Sequence, residues 1–531
     1  MTSKIQLTPT QLVVAFSVFV LTFSNRAFFH NLTEVYPLPE HLLFVASVAV
    51  IMLCANIAVF SLLCHRFSVK PVLIAMLLLS ASSAYFMDTY NVIIDDAMID
   101  NVLKTDANEA ADLLSTSQVM YFVLFGLLPA LWVWKIRIRP QSWRRGFLAT
   151  LAAVVLPLAI SAGLILAQSD YFASFFREHK PLRYYANPLS LFNAAAVYGK
   201  SQLQQGEQAL TPIGEDAAIP ADDEDRELII FVVGETARAD HFALNGYAKN
   251  TNPRLQQEDV ISFAQVASCG TSTAHSVPCM FSIYPRDDFS KAKAGSTENL
   301  LDVLQKAGVN VLWLDNNSSS KGVADRVPYL SYKSPQNNPV CDIECRDEGM
   351  LANLREYIDT HPSGDIFIVL HQMGNHGPAY YKRYPPEFER FTPTCQTNQL
   401  EQCSEAQISN TYDNALLYTD HFLGETIALL KQYPGFESAL LYVSDHGESL
   451  GENHVYLHGL PYMFAPEAQT HVPMIMWFNE HYAHEVDLAA LRETSRREIS
   501  HDNLFHTVLG LLEIETGVYD ASLDIITHVP E

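Results

Sequence analysis

Charged residues are scarce in this chain, and basic residues are the scarcest. Only 18% of the 531 residues are charged and 49% are hydrophobic, which is too apolar for an average soluble protein of this length. Lys and Arg number 34 against 59 Asp and Glu, so the formal net charge is −25, which argues against nucleic acid as a partner. The chain also has no internal repeat.

The apolar residues are concentrated in five long, almost uncharged windows. Each window approaches the roughly 20 residues that a helix needs to cross ~30 Å of hydrocarbon. We therefore predict five transmembrane helices, at about 11–29, 41–64, 71–87, 117–134 and 147–167. The first is not a secretory signal, because no small-residue cleavage site follows Phe29 and four further spans come after it.

Basic residues are distributed unevenly among the links between these helices. Arg66 and Lys70 lie between spans two and three, and a larger set lies between spans four and five: Lys135, Arg137, Arg139, Arg144 and Arg145. Links rich in Lys and Arg stay in the cytoplasm. The acidic loop between spans three and four is then external, and the odd number of spans exports the C-terminal half to the periplasm.

Six of the eight cysteines follow residue 260 as three close pairs. The pairs are Cys269 with Cys279, Cys341 with Cys345, and Cys395 with Cys403. In an oxidising periplasm such pairs form disulfides that close short loops. A metal site or unpaired buried thiols remain alternatives, although the chain lacks the Cys-x2-Cys repeats and companion histidines of a zinc ribbon.

Composition divides the chain into three regions. Residues 1–167 are predicted to be a transmembrane domain with five helices, and 168–225 an interfacial segment and linker. The aromatic, amphipathic part, 168–200, suits either the lipid headgroup level or a short packed helix of the exported domain. From 226 to 531, short apolar runs alternate with helical stretches, which predicts a doubly wound α/β catalytic domain with a largely parallel sheet.

Polar residues follow the predicted strands at the points where the strands end. The five strands are predicted at 228–233, 309–314, 366–370, 439–443 and 472–477. Glu235 follows the first, Ser318 and Lys321 lie in the run after the second, His371 and His376 follow the third, and Asp445-His446 follows the fourth. Chemistry in such sheets gathers beyond the carboxyl ends of the strands, so we expect these groups to converge, although a lone histidine is more often a core residue.

A hydroxyl group between two cysteines completes the candidate site. Carboxylate, imidazole and oxygen donors suit tetrahedral zinc, with Glu235, Asp445 and His446 as protein ligands and the Thr273 hydroxyl as the fourth. Zinc lowers the pKa of a bound hydroxyl, which makes Thr273 a candidate nucleophile. If Thr273 also begins a helix, the backbone N–H groups there help to hold a phosphate.

The remaining candidates suit phosphate chemistry. Lys321 can pair with phosphoryl oxygens, although a solvated loop lysine is an equal alternative. Any of three histidines can protonate a leaving oxygen or hold a second metal: His371, His376 or His458.

Four motifs resemble those of a known family. They are Glu235-Thr236 after a strand, the Thr273 loop with its flanking cysteines, His371-Gln-Met-Gly-Asn-His376-Gly-Pro, and Ser444-Asp-His-Gly-Glu-Ser-Leu-Gly. Together they resemble the lipid A phosphoethanolamine transferases, which include the mobile colistin resistance enzymes, and the similarity covers essentially the whole chain. The resemblance implies a sulfatase-like domain of the alkaline phosphatase superfamily, held at the inner membrane of a Gram-negative bacterium.

The resemblance also implies an activity and a set of roles. The enzyme would move phosphoethanolamine from phosphatidylethanolamine to a phosphate of lipid A and so give polymyxin and colistin resistance. Zinc would be held by Glu235, Thr273, Asp445 and His446, with Thr273 carrying a phosphoethanolamine intermediate. Further positions match residues that assist the phosphate or bind a further zinc (His376, His458), contact the donor headgroup (Ser318, Lys321), or bind the ethanolamine (Asn101, Thr105, Glu109).

The spacing of Asn101, Thr105 and Glu109 predicts that all three lie on one helical face.

The sequence also leaves other functions open. A membrane-anchored sulfatase or phosphodiesterase would use the same fold and metal but give the bound group to water. A transferase could use another acceptor in the cell envelope, and a non-catalytic membrane sensor could use the fold to bind lipid. We expect a monomer.

Overall fold

The computed structural model describes residues 6–529 except 106, 206–208, 222 and 224. The chain forms two compact units. The helical unit runs up to Ile99 and resumes at Leu114–Gly199, and the α/β unit comprises Asp100–Leu113 and the chain from Lys200 onward. The boundaries after residues 167 and 225 stay a prediction.

The first part of the chain is helical. Its helices are α1 (Pro9–Phe23), α2 (Arg26–Val35), α3 (Leu38–Leu63), α4 (Val69–Tyr90), α5 (Asp96–Lys104), α6 (Ala107–Leu113), α7 (Thr116–Tyr121), α8 (Leu128–Lys135), α9 (Trp143–Ala167), α10 (Ser169–Glu178) and α11 (Leu189–Gln205). A π-helical stretch, Phe122–Leu127, joins α7 to α8. Two short strands, β1 (Gln6–Leu7) and β2 (Arg137–Ile138), pair in parallel.

Four described helical stretches are long and apolar enough to cross a membrane: α3, α4, Thr116–Lys135 and α9. Helices α1 and α2 qualify together as a fifth, broken span with a bend of 57°. The prediction of five spans is confirmed with this pair counted as one. The break comes at buried Asn25, whose Nδ2 donates to the Asn187 carbonyl at 2.8 Å while its Oδ1 accepts from the Asn187 N–H at 3.0 Å.

The α/β unit alternates strands with helices, as the sequence predicts. Its strands are β3 (Glu227–Gly234), β4 (Ile261–Ala267), β5 (Asn310–Asp315), β6 (Tyr329–Ser331), β7 (Ile366–His371), β8 (Glu437–Ser444), β9 (Ser449–Leu450), β10 (Tyr456–Leu457), β11 (His471–Phe478) and β12 (Ile499–Ser500). Its helices after residue 205 are α12 (Thr273–Met280), α13 (Lys291–Gly295), α14 (Leu300–Ala307), α15 (Leu354–Asp359), α16 (Glu405–Leu430), α17 (Glu467–Thr470), α18 (Leu488–Thr494) and α19 (Leu504–Leu511).

Eight of these strands form one mixed sheet in the order β12-β4-β11-β8-β3-β7-β5-β6. The five predicted strands are all present in it, and β11 alone of the eight runs antiparallel to its neighbours. Strands β3, β7 and β8 are buried along their whole length, as expected for central strands covered on both faces. The carboxyl ends of β3, β4, β5, β7 and β8 therefore meet at one edge, where polar loops can converge.

The segment Asp100–Leu113 packs within the α/β unit. Asp100 forms ion pairs with Lys291 and with Lys104, and Asp112 forms ion pairs with Lys382 and Arg383. These contacts tie the external acidic loop to the catalytic part of the chain.

The prediction of a single helical face for Asn101, Thr105 and Glu109 is wrong. Helix α5 ends at Lys104 and Thr105 is not helical, and its hydroxyl donates to the Asn101 carbonyl at 2.7 Å. The side chain of Glu109 lies outside the described residues.

The cysteines behave as predicted from their spacing. Three disulfides join Cys269 to Cys279, Cys341 to Cys345, and Cys395 to Cys403. The two remaining cysteines, Cys54 and Cys64, are free and buried in the helical unit.

Candidate active site

Three loops that leave the carboxyl edge of the sheet bring the predicted metal ligands together. Glu235 directly follows β3, Asp445 and His446 directly follow β8, and Thr273 opens helix α12 after β4. The condition that Thr273 begins a helix is therefore met. Glu235, Asp445 and His446 are at most 1% exposed and Thr273 is 8% exposed, so the hydroxyl lies where a buried site meets solvent.

The Thr273 hydroxyl points at the other three groups. Its Oγ1 lies 3.0 and 3.2 Å from the two carboxylate oxygens of Glu235 and 3.4 Å from Nε2 of His446. One ligand atom from each of Glu235, Asp445 and His446 lies within 4.8 Å of the others. Donor atoms from three stretches that are far apart in the sequence thus lie close together.

Hydrogen bonding fixes how His446 faces this point. Its Nδ1 lies 2.9 Å from the Gly447 carbonyl, which can only accept, so Nδ1 carries the proton. The lone pair is then on Nε2, which lies 3.5 Å from Glu235 and 3.4 Å from Asp445. Burial, together with the neighbouring His458, lowers the pKa of His446 to about 3. A neutral imidazole with its lone pair turned inward is the form that binds a metal.

The donor set fits a divalent metal ion. Asp445 Oδ1 accepts the backbone N–H groups of Thr236 and His446, whereas Oδ2 is buried and has no hydrogen-bond partner among the described residues. Burial and the charge of Glu235 raise the pKa of Asp445 well above its ordinary value. Two buried carboxylates at this distance need a cation if both are to be ionised.

The ionised form of Glu235 is better stabilised than the ionised form of Asp445. Burial would raise its pKa, but the surrounding imidazoles, His446 foremost, outweigh burial and lower the pKa. Asn317 donates from Nδ2 to Glu235 Oε2 at 2.8 Å and to the Gln372 carbonyl at 2.7 Å. Asn317 was missed as a site residue in the sequence, although its place in the polar run after β5 is a usable signal.

The backbone around Glu235 is strained. Thr236 has φ 53°, a left-handed conformation that a β-branched residue rarely adopts. Gly374 has φ +50°, and a Cβ atom there would lie 2.9 Å from the Glu235 carbonyl oxygen. The loop after β7 can therefore lie directly against Glu235 only with glycine at this position. Such strain is common at functional sites, where surrounding contacts hold it in place.

Two further histidines stand beside the metal ligands. The ring of His458 lies 4.4 Å from that of His446 and 5.6 Å from that of His376, measured between centroids. His458 Nδ1 bonds to Glu448 at 2.9 Å, and the same carboxylate accepts from the Tyr380 hydroxyl at 2.9 Å. His446, Glu448 and His458 also form a second potential metal-binding group. Sequence reasoning assigned no role to Glu448 or Tyr380.

His371 differs from the other two histidine candidates. It is the last residue of β7 and fully buried, and its Nδ1 bonds to Asp315 Oδ2 at 3.0 Å. Asp315 also accepts from the indole of Trp313 at 3.0 Å. These contacts belong to the floor of the site, so the geometry favours His376 and His458 as the groups that meet substrate.

Ser318 and Lys321 lie next to each other on the loop after β5. The Lys321 ammonium donates to the Ser318 hydroxyl at 2.5 Å and to its carbonyl at 3.0 Å. Lys321 also lines a cavity of about 250 Å³ together with Lys104 and Ala274, the residue after Thr273. The structure thus brings a cation of the external loop and Lys321 to one cavity beside the helix that Thr273 opens.

A histidine near the C-terminus anchors the Thr273 loop, and sequence reasoning missed it. His501 is 2% exposed, and its Nδ1 accepts the Cys269 N–H at 3.1 Å while its Nε2 donates to the Ser444 carbonyl at 3.0 Å. Because the Cys269 N–H can only donate and the Ser444 carbonyl can only accept, the ring must be the neutral Nε2–H tautomer. His501 therefore joins the loop of Thr273 to the strand end that precedes Asp445.

A buried arginine connects the site to the external segment. Arg383 donates from Nε to the His376 carbonyl at 2.7 Å and from Nη2 to Asp112 at 2.7 Å, and it forms an ion pair with Glu344. Arg383 and Asp112 line a second cavity, of about 370 Å³, with His376 on its wall. Arg383 was also missed in the sequence, because nothing in its local context marks it.

Comparison with known proteins places this site in a family. A sulfatase family model matches residues 227–514, and one described as phosphoethanolamine transferase EptA/EptB matches 52–203. The chain is 41% identical over 520 residues to phosphatidylethanolamine transferase Mcr-1 of Escherichia coli, with 95% of each chain covered. It is 40% identical to phosphoethanolamine transferase EptA of Salmonella typhimurium, covering 97% of this chain and 96% of that one. The chain belongs to the phosphoethanolamine transferases.

Structural comparison extends this result to both units of the transferase. The integral membrane lipooligosaccharide phosphoethanolamine transferase A (EptA) of Neisseria meningitidis matches with a TM-score of 0.95 at 35% identity, covering 98% of this chain and 99% of that one. The transferase is accordingly a multi-pass protein of the inner membrane with a sulfatase-like periplasmic catalytic domain. The fold and localisation predicted from the sequence are confirmed.

Proposed function

We propose that this transferase moves phosphoethanolamine from phosphatidylethanolamine to a phosphate of lipid A through a phospho-threonine intermediate on Thr273. The observation that carries the proposal is the contact of the Thr273 hydroxyl with Glu235 at 3.0 Å, beside Asp445 and His446. Polymyxin and colistin resistance would follow, because ethanolamine brings a positive charge to the anionic acceptor.

Zinc is the metal that we propose for the site. Glu235, Asp445 and His446 would hold it together with the Thr273 hydroxyl, which matches zinc's preference for nitrogen and oxygen donors in a tetrahedral set. Bound zinc would lower the pKa of that hydroxyl and draw charge from the phosphoryl oxygens. The orphaned oxygen of Asp445 supports a cation at this point.

The residues of the chain would then act in two steps. In the first, Thr273 Oγ1 forms a bond to the donor's phosphorus while the bond from phosphorus to the diacylglycerol oxygen breaks. The leaving oxygen needs a proton, which His376 or His458 can donate. In the second, an oxygen of the acceptor phosphate forms a bond to the same phosphorus while the bond from phosphorus to Thr273 Oγ1 breaks, and its electron pair returns to the threonine oxygen.

The amino end of helix α12 points at the reacting phosphoryl group and would help to bind it. Thr273 is its first residue, so a phosphoryl group on the hydroxyl lies at the positively polarised end of the helix. The Glu235 carboxylate accepts a hydrogen bond from the Thr273 hydroxyl and can take its proton.

Recognition of the donor headgroup is proposed for two sets of residues. Ser318 and Lys321 would contact the phosphate from the loop after β5, and the cavity beside Ala274 offers the space. Asn101, Thr105 and Glu109 would bind the ethanolamine ammonium from the segment Asp100–Leu113. The ion pairs of Asp100 and Asp112 support this placement, because they hold that segment against the α/β unit.

The names of the relatives support the proposed substrate class. Their names describe phosphatidylethanolamine or phosphoethanolamine transferases, and one, at 26% identity over 467 residues, is the Kdo(2)-lipid A phosphoethanolamine 7''-transferase of Escherichia coli. A lipid donor and a phosphorylated lipid acceptor suit an enzyme anchored in the membrane, since the anchor raises the local concentration of both. We propose that it works as a monomer.

The experiment is a reconstituted transfer reaction with product analysis. Purified full-length protein in detergent is supplied with headgroup-labelled phosphatidylethanolamine and lipid A, and both lipids are analysed by mass spectrometry. The proposal expects lipid A with added phosphoethanolamine, and no product from Thr273→Ala. Free phosphoethanolamine with unmodified lipid A would instead identify a hydrolase, and full activity of Thr273→Ala would contradict the mechanism.

A further inference from the structure

A second group of carboxylates lies at the amino ends of the central strands, at the edge of the sheet opposite the active site. Strand β3 begins with Glu227 and strand β8 with Glu437, and these two residues are direct partners in the parallel register. Partners in register point to the same face of the sheet, so the two carboxylates are neighbours. Both are only 1% exposed. Asp365, which precedes β7, is 3% exposed and accepts the Glu227 N–H at 3.3 Å.

Each of these three carboxylates has one buried oxygen without a hydrogen-bond partner in the described part of the chain. Oε2 of Glu227, Oε1 of Glu437 and Oδ2 of Asp365 are buried and have no partner among the residues that the structure describes. A buried carboxylate without a donor or a cation is costly, and neighbouring carboxylates add repulsion. A cation near Glu437, either a bound ion or the protonated imidazole of His481, or a proton shared between carboxylates can compensate this charge.

The geometry around Glu437 favours a cation. Nε2 of His481 lies 3.7 Å from Oε1 of Glu437 and 3.8 Å from Oδ1 of Asp225. One ligand atom from each of the three residues lies within 4.8 Å of the others, as is also true of the group around Glu235. A shared proton would explain two facing carboxylates, but it gives no reason for an imidazole at the same point.

We propose that Asp225, Glu437 and His481 bind a divalent metal ion at this edge of the sheet, separate from the active site. One imidazole and two carboxylates are a donor set that zinc or manganese accepts, and water would complete the coordination because the side chains of Asp225 and His481 are about half exposed. The ion fixes three parts of the chain to one another. These are the stretch that leads into β3, the start of β8 and the turn that follows β11.

The experiment counts zinc ions on the full-length protein in detergent. Metal is first removed with a chelator, and Zn²⁺ is then titrated by calorimetry against the wild-type chain and four variants. Glu437→Gln and His481→Ala each remove one proposed ligand, and Glu235→Gln removes a ligand of the active site. Glu480→Gln, at an exposed carboxylate beside His481, is the matched control.

The expected result is loss of a different zinc ion in each class of variant. Glu437→Gln binds one ion fewer than the wild type, His481→Ala weakens that ion about tenfold or more, and both keep the ion that Glu235→Gln loses. Glu480→Gln behaves as the wild type. His481→Ala lies at a half-exposed position, so it tests the site even if the buried substitution disturbs folding.

Two results would overturn the proposal. One is an unchanged zinc count and affinity in His481→Ala. The other is an unchanged zinc count in Glu437→Gln with a higher melting temperature in metal-free buffer, because relief of repulsion without metal loss identifies a shared proton.

Discussion

Replacement of His501 by phenylalanine should destabilise the α/β unit in a way that depends on pH. Phenylalanine keeps the ring volume but has neither nitrogen, so the Cys269 N–H and the Ser444 carbonyl lose their buried partner. An unsatisfied buried polar group costs about 1–3 kcal/mol, which gives about 2–6 kcal/mol for the two at pH 7.5.

The pH dependence follows from the lowered pKa of His501. Burial lowers this pKa from 6.5 to about 3, so the folded protein keeps the ring neutral while the unfolded chain takes up a proton below pH 6.5. The unfolded state then binds more protons, and the histidine's contribution to stability is lost as pH falls from 6.5 toward 3, by about 1.4 kcal/mol for each unit. The difference in free energy of unfolding between wild type and His501→Phe should therefore decrease by about 2 kcal/mol from pH 7.5 to pH 5.

Urea unfolding of the full chain in detergent with excess zinc, measured at both pH values, tests this reasoning. Exposed His484→Phe is the control for loss of a surface histidine and should change stability little at either pH. A His501→Phe chain as stable as the wild type would refute the anchoring role. A gap that stays constant with pH would refute the assignment of a neutral buried ring.

Three further outcomes follow from the site. Asn317→Ala removes the donor to Glu235 and should lower zinc affinity or transfer rate about 10- to 100-fold, measured by zinc titration and product formation. Arg383→Gln should lower the transfer rate of the folded protein, measured well below its melting temperature at saturating zinc, because the guanidinium positions the loop of His376. A lower melting temperature with an unchanged rate of the folded protein would indicate a purely structural role. Chelation of zinc should lower the melting temperature of the wild type more than that of Asp445→Asn, because only the wild type is left with two facing carboxylates, and calorimetry with and without chelator compares them.

Much of the site could be predicted because it is built from residues next to strand ends. Glu235 and Asp445-His446 directly follow buried apolar runs, and parallel strands deliver such residues to one edge. The reversed direction of β11 could not be predicted, since a short apolar run carries no information about its orientation. His501 was missed for a related reason: its partners Cys269 and Ser444 are distant in the sequence, and only the folded sheet brings them together.

The break at Thr105 shows a different limit. Regular spacing of three polar residues predicted one helical face, but that inference assumes an uninterrupted helix. Helix α5 ends one residue before Thr105, and the spacing of polar residues alone does not reveal where a helix ends.

Direct detection of the covalent intermediate tests the central claim. Purified full-length protein is mixed with phosphatidylethanolamine without acceptor, quenched in acid and digested, and the peptide containing Thr273 is sequenced by tandem mass spectrometry. The account predicts phosphoethanolamine on the Thr273 hydroxyl, formed only with zinc present and discharged when lipid A is added before the quench. An unmodified Thr273 in protein that completes the transfer, or the group on another side chain, would contradict it.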